Sequence, residues 1–404
     1  MLLKLAWRNI WRNKRKSLIV LSSVVIGMIA VIFYDGLDHG MLRQMLNNQI
    51  SNSVAHIQIH KKGFNDNKVI KNYIPDDQLV EKAVESQKDI KAYSKRVITF
   101  GLLSSASSSS GVYIYGIYPS MEAEVSDIKK SIIEGKFFTG SKRDIVIGKQ
   151  LADKLGVGLG DKVVVMANTP NGNIGSDLFR VAGIFQTVSS EFDKTTIYIP
   201  IKTAQDMLDI DNHIYEYAIV LNDYHNADKV KSELESKLNS RYEVLSYKDL
   251  LPMLIYQMDL YDQTMWIFYM IVGLALIFGI VNTMLMSVFE RINEIGVLMA
   301  IGMKNSRIFL MFVLEAFMIG VIGTILGLAL GLLIHWPISV SGINFSIFSD
   351  ALKSFGIGAV IYPVLSVTNT IVLTLIIPFI AVIGALYPAY RAIKLEPIKA
   401  IYYV

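Results

Sequence analysis

The sequence predicts an α-helical membrane protein with four transmembrane helices plus a large α+β extracytoplasmic domain inserted between helices 1 and 2. Hydrophobic residues make up 52% of the 404 residues and charged residues 18%, with a mean hydropathy of +0.41. This composition is too apolar for an ordinary soluble domain and too charged for a chain buried throughout in lipid. Four apolar stretches are long enough to cross a bilayer, and the longest segment between them has the size of a domain.

Each predicted span has the roughly 20 apolar residues that a helix needs to cross the hydrocarbon core. In chain order the spans are 17–37, 265–289, 308–334 and 370–390. A basic cluster precedes the first of them without a small-residue cleavage site, which favours a retained helix over a signal peptide. The run after the third span is interpreted as a loop, since Pro337, Gly342, Gly356 and Pro363 interrupt it.

Lysine and arginine cluster on one side of these spans. They are frequent in the amphipathic helix predicted at 1–16, in the segment 290–307 and in the tail 391–404, whereas the loop 335–369 has a single lysine. By the positive-inside rule, the three basic segments are cytoplasmic. Both termini are therefore expected in the cytoplasm, and the segment 38–264 outside it.

The segment 38–264 alternates between strand-like and helix-like patterns. Helical stretches at 76–87 and 226–239 are each flanked by strand-like stretches. These two strand–helix–strand units bracket a β-rich middle at about 116–201. The serine run 104–110 is interpreted as a polar turn between two strands.

Several catalytic and ligand-binding patterns are missing from the sequence. It has no G-x-x-x-x-G-K-[ST] motif, so it cannot bind a nucleoside triphosphate by that route. Without cysteine, neither a disulfide nor a thiolate metal site can form, and the six histidines lack a metal-ligand spacing. We therefore expect no enzyme activity, cofactor or metal site within this chain.

The third predicted span carries one lone charge and one stripe of glycines. Glu315 lies about 12 Å along the helix from Arg307, at 1.5 Å per residue. An intramembrane carboxylate is functional by default, yet hydrogen bonds from Ser, Thr or Asn would also satisfy it, so a structural role and a coupling or transport role both remain open. Gly323, Gly327 and Gly331 permit close helix packing, and we expect them to face the second or fourth span.

The segment 290–307 combines charged and apolar residues. As a helix it has one apolar face, formed by Ile292, Ile295, Gly296, Met299 and Met303. Arg291 and Glu294 lie off this face, while Val297 and Ile301 make the far side partly apolar. A helix lying on lipid needs only one apolar stripe. Apolar surface on two sides favours a helix placed between the membrane bundle and a protein groove.

Five motifs resemble, in the same order, those of the permease subunits of the MacB/LolC/LolE/FtsX group of ABC transporters. They lie at 5–19 (LAWRNIWRNKRKSLI), 115–138, 145–165, 290–308 (ERINEIGVLMAIGMKNSRI) and 387–401 (YPAYRAIKLEPIKAI). The resemblance covers nearly the whole chain, and one span, a large outer domain and three further spans are that group's architecture. MacB carries a fused ATPase domain that this chain lacks, and FtsX usually has a smaller outer domain. The resemblance is therefore closest to the lipoprotein-releasing (LolC/LolE-like) type.

The resemblance implies a permease of the bacterial cytoplasmic (inner) membrane that works by mechanotransmission. Two copies of a cytoplasmic ABC ATPase would bind ATP and Mg, and a second permease would complete a homodimer or heterodimer. The implied work is release of lipoproteins to a periplasmic carrier, with membrane lipid as a further contact and no nucleic acid. Two alternatives remain: MacB-like export of peptides, toxins or drugs with a periplasmic adaptor, and FtsX-like signalling to a cell-wall hydrolase.

The resemblance also assigns roles to two sets of residues. The expected ATPase-coupling set is Glu290, Arg291, Ile292, Glu294, Ile295, Gly296, Met299 and Gly302. Acyl chains are expected in a cavity between the first two spans of paired subunits. Its candidate lining residues are Val25, Met28, Ile29, Ile32 and Phe33, together with Met258, Tyr261, Met265 and Phe268. Methionine suits irregular apolar ligands because its side chain adapts, but lipid contact or helix packing remains the alternative for each residue.

Overall fold

The computed structural model describes residues 2–12, 14–67 and 71–396. The end of the predicted tail 391–404, and with it the end of the motif at 387–401, lies outside the described residues. The chain divides into two compact units, which we call the helical unit (Met1–Leu42, Gln257–Asn344, Val360–Val404) and the sheet unit (Arg43–Tyr256, Phe345–Ala359).

The described residues form helices and strands as follows. The helices are α1 Leu2–Arg12, α2 Lys14–Gln49, α3 Phe64–Asn67, α4 Asp77–Glu85, α5 Pro119–Val125, α6 Lys149–Leu155, α7 Ser190–Thr195, α8 Ile201–Leu208, α9 Ala227–Lys237, α10 Tyr247–Leu250, α11 Pro252–Glu290, α12 Ile292–Ala300, α13 Asn305–Ser341, α14 Ser349–Ser354 and α15 Val367–Ile393. The strands are β1 Ile57–Lys61, β2 Ile90–Ser104, β3 Ser109–Ile117, β4 Ile132–Gly135, β5 Asp144–Gly148, β6 Lys162–Asn168, β7 Ile174–Phe185, β8 Thr196–Pro200, β9 Glu216–Leu221, β10 Tyr242–Ser246, β11 Ile343–Asn344 and β12 Val360–Ile361.

Among the described residues, four helices are long and apolar enough to cross a membrane: α2, α11, α13 and α15. Each contains one predicted span, so the four-helix part of the predicted fold class is confirmed. The third helix is longer than expected, because α13 continues through Pro337 to Ser341 and shortens the predicted loop 335–369. Gly342 ends it instead, since its φ of +72° suits glycine and its N–H donates to the carbonyl of Ile338 at 2.8 Å.

The glycine stripe of α13 packs against α2. An added Cβ on any of three glycines would crowd an α2 side chain, at Gly323, Gly327 and Gly331. At Gly327 it would lie 2.8 Å from the Cβ of Met28. The expectation that these glycines face the second or fourth span was therefore wrong. Their spacing identifies a close-packing face but not the neighbouring helix, and at Gly320, nearer the start of the same stripe, the neighbour is α15.

We expect Gly327→Leu to destabilise the helical unit by about 1–3 kcal/mol, because overpacking a tight contact forces side chains and backbone apart. Thermal unfolding of the purified chain in detergent measures this loss. Gly279→Leu on α11 is the matched control, since an added Cβ there meets nothing within 4 Å. Equal melting temperatures for the two variants would show that the α2–α13 contact is not tight.

The sheet unit is built around β2, a long strand that belongs both to an open sheet and to a closed ring of strands. The first half of β2 pairs with β9, and β1 and β10 continue that open sheet in the order β10-β1-β9-β2. The second half pairs with β3 on one side and, over Gly101–Ser104, with β6 on the other. The pairings β3–β8, β8–β5, β5–β7 and β7–β6 then complete a closed ring of strands.

The sequence predicted several features of this unit. Residues 105–108 connect β2 to β3, and the N–H of Ser105 donates to the carbonyl of Ser108 at 2.8 Å. The serine run is therefore a turn between antiparallel strands, as predicted. The helices expected at 76–87 and 226–239 are α4 and α9, and both accompany the open sheet rather than the ring.

A cluster of ionised groups is buried where β2 passes from the open sheet into the ring. The guanidinium of Arg96 donates to both carboxylate oxygens of Glu122, at 2.9 and 2.6 Å, and to Oε1 of Glu216 at 2.7 Å. A further bond reaches the carbonyl of Ser53 at 2.8 Å. Burial by itself would raise the pKa of Glu122, but the charge and hydrogen bonds of Arg96 hold that pKa below its ordinary value.

Candidate functional site

The segment predicted to contact an ATPase forms the short helix α12 in the helical unit. Arg291, with φ −113° and ψ 15°, interrupts the helical backbone between Glu290 and Ile292. Gly302 adopts a φ of +90°, a conformation that suits glycine, and the chain then turns into α13. The predicted segment 290–307 is thus a nine-residue helix between two turns.

One face of α12 packs into the helical unit and the other is exposed. Ile292, Ile295 and Gly296 are buried, and Met299 packs partly against the same core. These are the residues that the sequence placed on one face. On the opposite side, Val297 is 50% exposed and Ile301, just past the helix end, is 74% exposed. The helix therefore has apolar surface on two sides, one of which is buried and the other exposed.

The charged residues around α12 pair with the start of the chain. Arg12 contacts Glu294 at 2.5 Å, and Lys16 forms an ion pair with Glu290. Arg291 lies 3.4 Å from Glu294. Partial burial would raise the pKa of Glu294, but the hydrogen bond and charge of Arg12 keep that pKa below its ordinary value. The pair of Arg12 and Glu294 holds α12 to α1, and the pair of Lys16 and Glu290 holds the end of α11 to the first turn of α2.

Glu315 is not the lone charge that the sequence indicated. Its carboxylate is buried on α13 and lies 3.4 Å from the guanidinium of Arg291, and Asn9 lines the same cavity. Arg291 also lies over the ring of Phe312, with 5.9 Å from its Cζ to the ring centroid. The pair joins Arg291, the residue before α12, to a residue 24 positions later on α13, so helical spacing could not identify it.

These groups line a cavity of about 210 Å³ in the helical unit. Its charged lining comprises three basic and three acidic residues: Arg12, Lys16, Arg291, Glu290, Glu294 and Glu315. The opposite charges balance, so the cavity has no net charge to attract an ion. The ion pairs among these residues fix the position of the segment around α12 relative to α1, α2 and α13.

The candidate lining residues of the acyl cavity fall into two groups. Met28, Ile32 and Met265 are buried together in a core cluster of the helical unit. They pack between helices of this chain and do not face outward in this conformation. The others are partly or well exposed: Val25, Ile29, Phe33, Met258, Tyr261 and Phe268. Phe268 stacks on Tyr34 with ring centroids 4.7 Å apart, which makes Tyr34 a neighbour that the sequence did not single out.

Sequence reasoning also missed the role of α1. The predicted amphipathic helix at 1–16 buries Ala6 and Ile10 and exposes Trp7 and Trp11, but its basic residues were read only as an orientation signal. A further signal was present: Arg12 and Lys16 are four residues apart, and so are Glu290 and Glu294. Equal spacing lets two segments pair twice in antiparallel order, as Arg12 with Glu294 and Lys16 with Glu290 do here.

Comparison with known proteins gives two family matches that together span most of the chain. Residues 17–237 match the MacB-like periplasmic core domain, and residues 266–397 match the FtsX-like permease C-terminal domain. The lipoprotein-releasing system transmembrane protein LolC of Neisseria meningitidis is 24% identical over 96% of this chain and 94% of that protein. The macrolide export ATP-binding/permease protein MacB of Mannheimia succiniciproducens is 25% identical over 96% of this chain and 59% of that protein. The crystal structure of the periplasmic region of MacB from Actinobacillus actinomycetemcomitans superposes with a TM-score of 0.37 and 15% identity, covering 52% of this chain and 97% of that one.

Proposed function

Because this chain belongs to the MacB/LolC group of ABC transporter permeases, we propose that it releases lipoproteins from the inner membrane, using ATP hydrolysis by a separate cytoplasmic ATPase. Permeases of this family associate with such an ATPase and with a partner permease. In the proposal, two ATPase copies hold the ATP and Mg, and α12 receives their movement. The movement is relayed through the helices to the sheet unit, which does its work outside the cytoplasm.

The two-sided apolar surface of α12 carries this proposal. Its buried face and three ion pairs, from Glu290, Arg291 and Glu294, fix this segment to α1, α2 and α13, while Val297 and Ile301 remain exposed. Exposed apolar residues beside charged ones are typical of a protein interface. The basic residues near α1 and α12 support a cytoplasmic position for this end of the unit, where an ATPase is accessible.

One observation favours lipoprotein release over the alternatives. LolC of Neisseria meningitidis aligns over 96% of this chain and 94% of its own length, and its name describes a lipoprotein-releasing system. The MacB relative of Mannheimia succiniciproducens aligns over 59% of its own length. Export with an adaptor and signalling to a hydrolase remain the outcomes that an experiment has to separate from lipoprotein release.

ATP turnover by the permease–ATPase complex in lipid nanodiscs tests the function. We expect a diacylated lipoprotein to stimulate turnover, and a soluble carrier to accept the released lipoprotein only when ATP is present. The same lipoprotein without its acyl chains is the control. Stimulation by macrolides or by a cell-wall hydrolase, with no response to lipoprotein, would contradict the proposal.

We expect Val297→Asp and Ile301→Asp each to weaken ATPase association by about tenfold or more, the effect of losing one well-packed interface residue. Binding of purified ATPase to the immobilised permease measures the change. Val340→Asp is the matched control, because Val340 is similarly exposed on α13 but lies far along that helix from α12. An unchanged dissociation constant in both α12 variants would remove α12 from the interface.

A further inference from the structure

A second polar cluster lies in the helical unit, far from α12. Asp35 is on α2, about 28 Å along that helix from Lys16 at 1.5 Å per residue. His39 follows one turn later, and Asp262 is 28 residues before Glu290 on α11. His39 lies between the two carboxylates, with Nδ1 3.5 Å from Asp35 and Nε2 3.7 Å from Asp262. In the proposed orientation this cluster is at the outer edge of the membrane.

Among the described residues, no lysine or arginine forms an ion pair with Asp35, Asp38 or Asp262. Asp35 is only 3% exposed, and its Oδ1 accepts a hydrogen bond from the neutral amide of Asn369 at 2.8 Å. Two imidazoles lie nearby: His39 is between two of the carboxylates, and His335 on α13 packs against Gly36, the residue after Asp35. A buried carboxylate is usually paired with a cation, and these imidazoles are positive only when protonated.

Two tyrosines with buried hydroxyls lie on α11 close to Asp262. Tyr261 is the residue before Asp262, and its ring contacts His39. Tyr269 is 7% exposed and lies seven residues after Asp262, which is about two helical turns. Neither hydroxyl has a hydrogen-bond partner among the described residues. Buried polar groups are nearly always hydrogen-bonded, so these two indicate a missing partner and not only a packing arrangement.

The chemistry of that partner follows from what the cluster presents. Carboxylates and hydroxyl oxygens are acceptors, and a primary ammonium brings three donors and the missing positive charge. The rings of Tyr34 and Tyr261 pack together, with centroids 6.4 Å apart, and the ring of Tyr261 meets His39 edge-on at 5.1 Å. Aromatic rings beside carboxylates are a usual environment for organic ammonium groups. A metal ion fits less well, since no group of three or more His and carboxylate side chains among the described residues is arranged to hold one.

The cluster is open towards the lipid side of α2 and α11. The carboxylate of Asp262 is 61% exposed, and Phe33 and Tyr34 are each 40% exposed. Phe268, stacked on Tyr34, continues the apolar surface along α11. A ligand at this place therefore meets polar acceptors at one end and apolar side chains next to them.

From these contacts we propose that Asp35, Asp262, Tyr261 and Tyr269 bind the primary ammonium of an acylated amphiphile whose acyl chains lie along α2 and α11. The inference rests on the proposed function and refines it: the substrate is an acylated peptide that keeps a free α-amine next to its lipid. An ethanolamine phospholipid headgroup carries the same ammonium, so the experiment separates the two sources.

Binding of two synthetic peptides to the full chain in phosphatidylglycerol nanodiscs tests the proposal. Both carry a diacylglyceryl-cysteine, one with a free α-amine and the other with an acetylated amine. We expect the free amine to bind about tenfold or more tightly, the effect of one charge-assisted hydrogen bond or more. Asp35→Asn removes this preference, and Tyr269→Phe reduces it while keeping the ring. Asp259→Asn on the same helix as Asp262 is the control and keeps the preference.

Each outcome of this test decides one question. Equal binding of the two peptides to the unaltered chain overturns the ammonium site but leaves lipoprotein binding intact. If neither peptide binds, the proposed function fails, and a comparison of dodecylammonium with dodecanol then tests the cluster by itself. Tighter binding of dodecylammonium that is lost in Asp35→Asn supports the ammonium site. Equal binding of the two compounds overturns it. If an ethanolamine phospholipid displaces the free-amine peptide and binds with equal affinity, the peptide amine is not the specific occupant of the site.

Discussion

Arg96→Met is expected to destabilise the sheet unit by about 3–5 kcal/mol, because it leaves Glu122 and Glu216 buried without their cation. Both carboxylates are buried on the same side of β2, and Arg96 bonds to each of them. Chemical unfolding of the purified chain, followed by a fluorescent probe in the sheet unit, measures the loss. Arg241→Met is the matched control, since Arg241 is exposed and surface substitutions usually change stability by about 0.5 kcal/mol or less.

The pH dependence gives this prediction a distinctive sign. In the unaltered protein the pKa of Glu122 is lowered on folding, so its contribution is complete above the unfolded pKa of about 4.3 and is lost as pH falls through the folded pKa. Without Arg96, burial raises the pKa of the carboxylates on folding, so acidification from neutral pH stabilises the variant. A variant that loses stability on acidification as the parent does would contradict the proposed role of Arg96.

Arg291→Met is expected to cost the helical unit a similar amount, about 3–5 kcal/mol, because Glu315 would be left buried without the guanidinium that it contacts. It should also lower substrate-stimulated ATP turnover, since α12 loses its attachment to α13. Thermal unfolding in detergent and turnover in nanodiscs measure the two effects.

Glu315→Gln combined with Arg291→Met should recover most of the lost stability, because the double variant has no buried charge. Recovery of turnover is a separate outcome: if stability returns and turnover does not, the ion pair acts in coupling and not only in folding. Arg307→Met is the matched control, since Arg307 is exposed at the start of α13. Equal stability of Arg291→Met and this control would show that the pair with Glu315 is unimportant.

The features that the sequence predicted well depend on local pattern. Span length located α2, α11, α13 and α15, and the serine run located the turn between β2 and β3, since both signals lie within one continuous stretch. The buried face of α12 followed from helical periodicity alone. In each case the chemistry of neighbouring residues decides the structure.

The features that the sequence did not predict depend on which elements meet. The glycines of α13 identified a close contact, yet α2 rather than α11 or α15 provides it. The partner of Glu315 comes from the residue before α12, and those of Glu290 and Glu294 come from the beginning of the chain. Closure of the strand ring depends on β6 reaching back to β2 across more than fifty residues. Periodicity contains no information about such pairings.

The double use of β2 has a consequence for how the sheet unit tolerates length changes. Side chains alternate along one strand, so the buried positions in the open-sheet half of β2 keep a fixed spacing from the buried positions in the ring half. A single residue inserted near Arg96 would exchange the buried and exposed side chains of β2 in one of the two halves while leaving the other half unchanged. Insertions are therefore compatible with the fold in the turn at 105–108. Between Ser94 and Phe100 the number of residues, seven, has to stay constant, because it sets the spacing between the two cores.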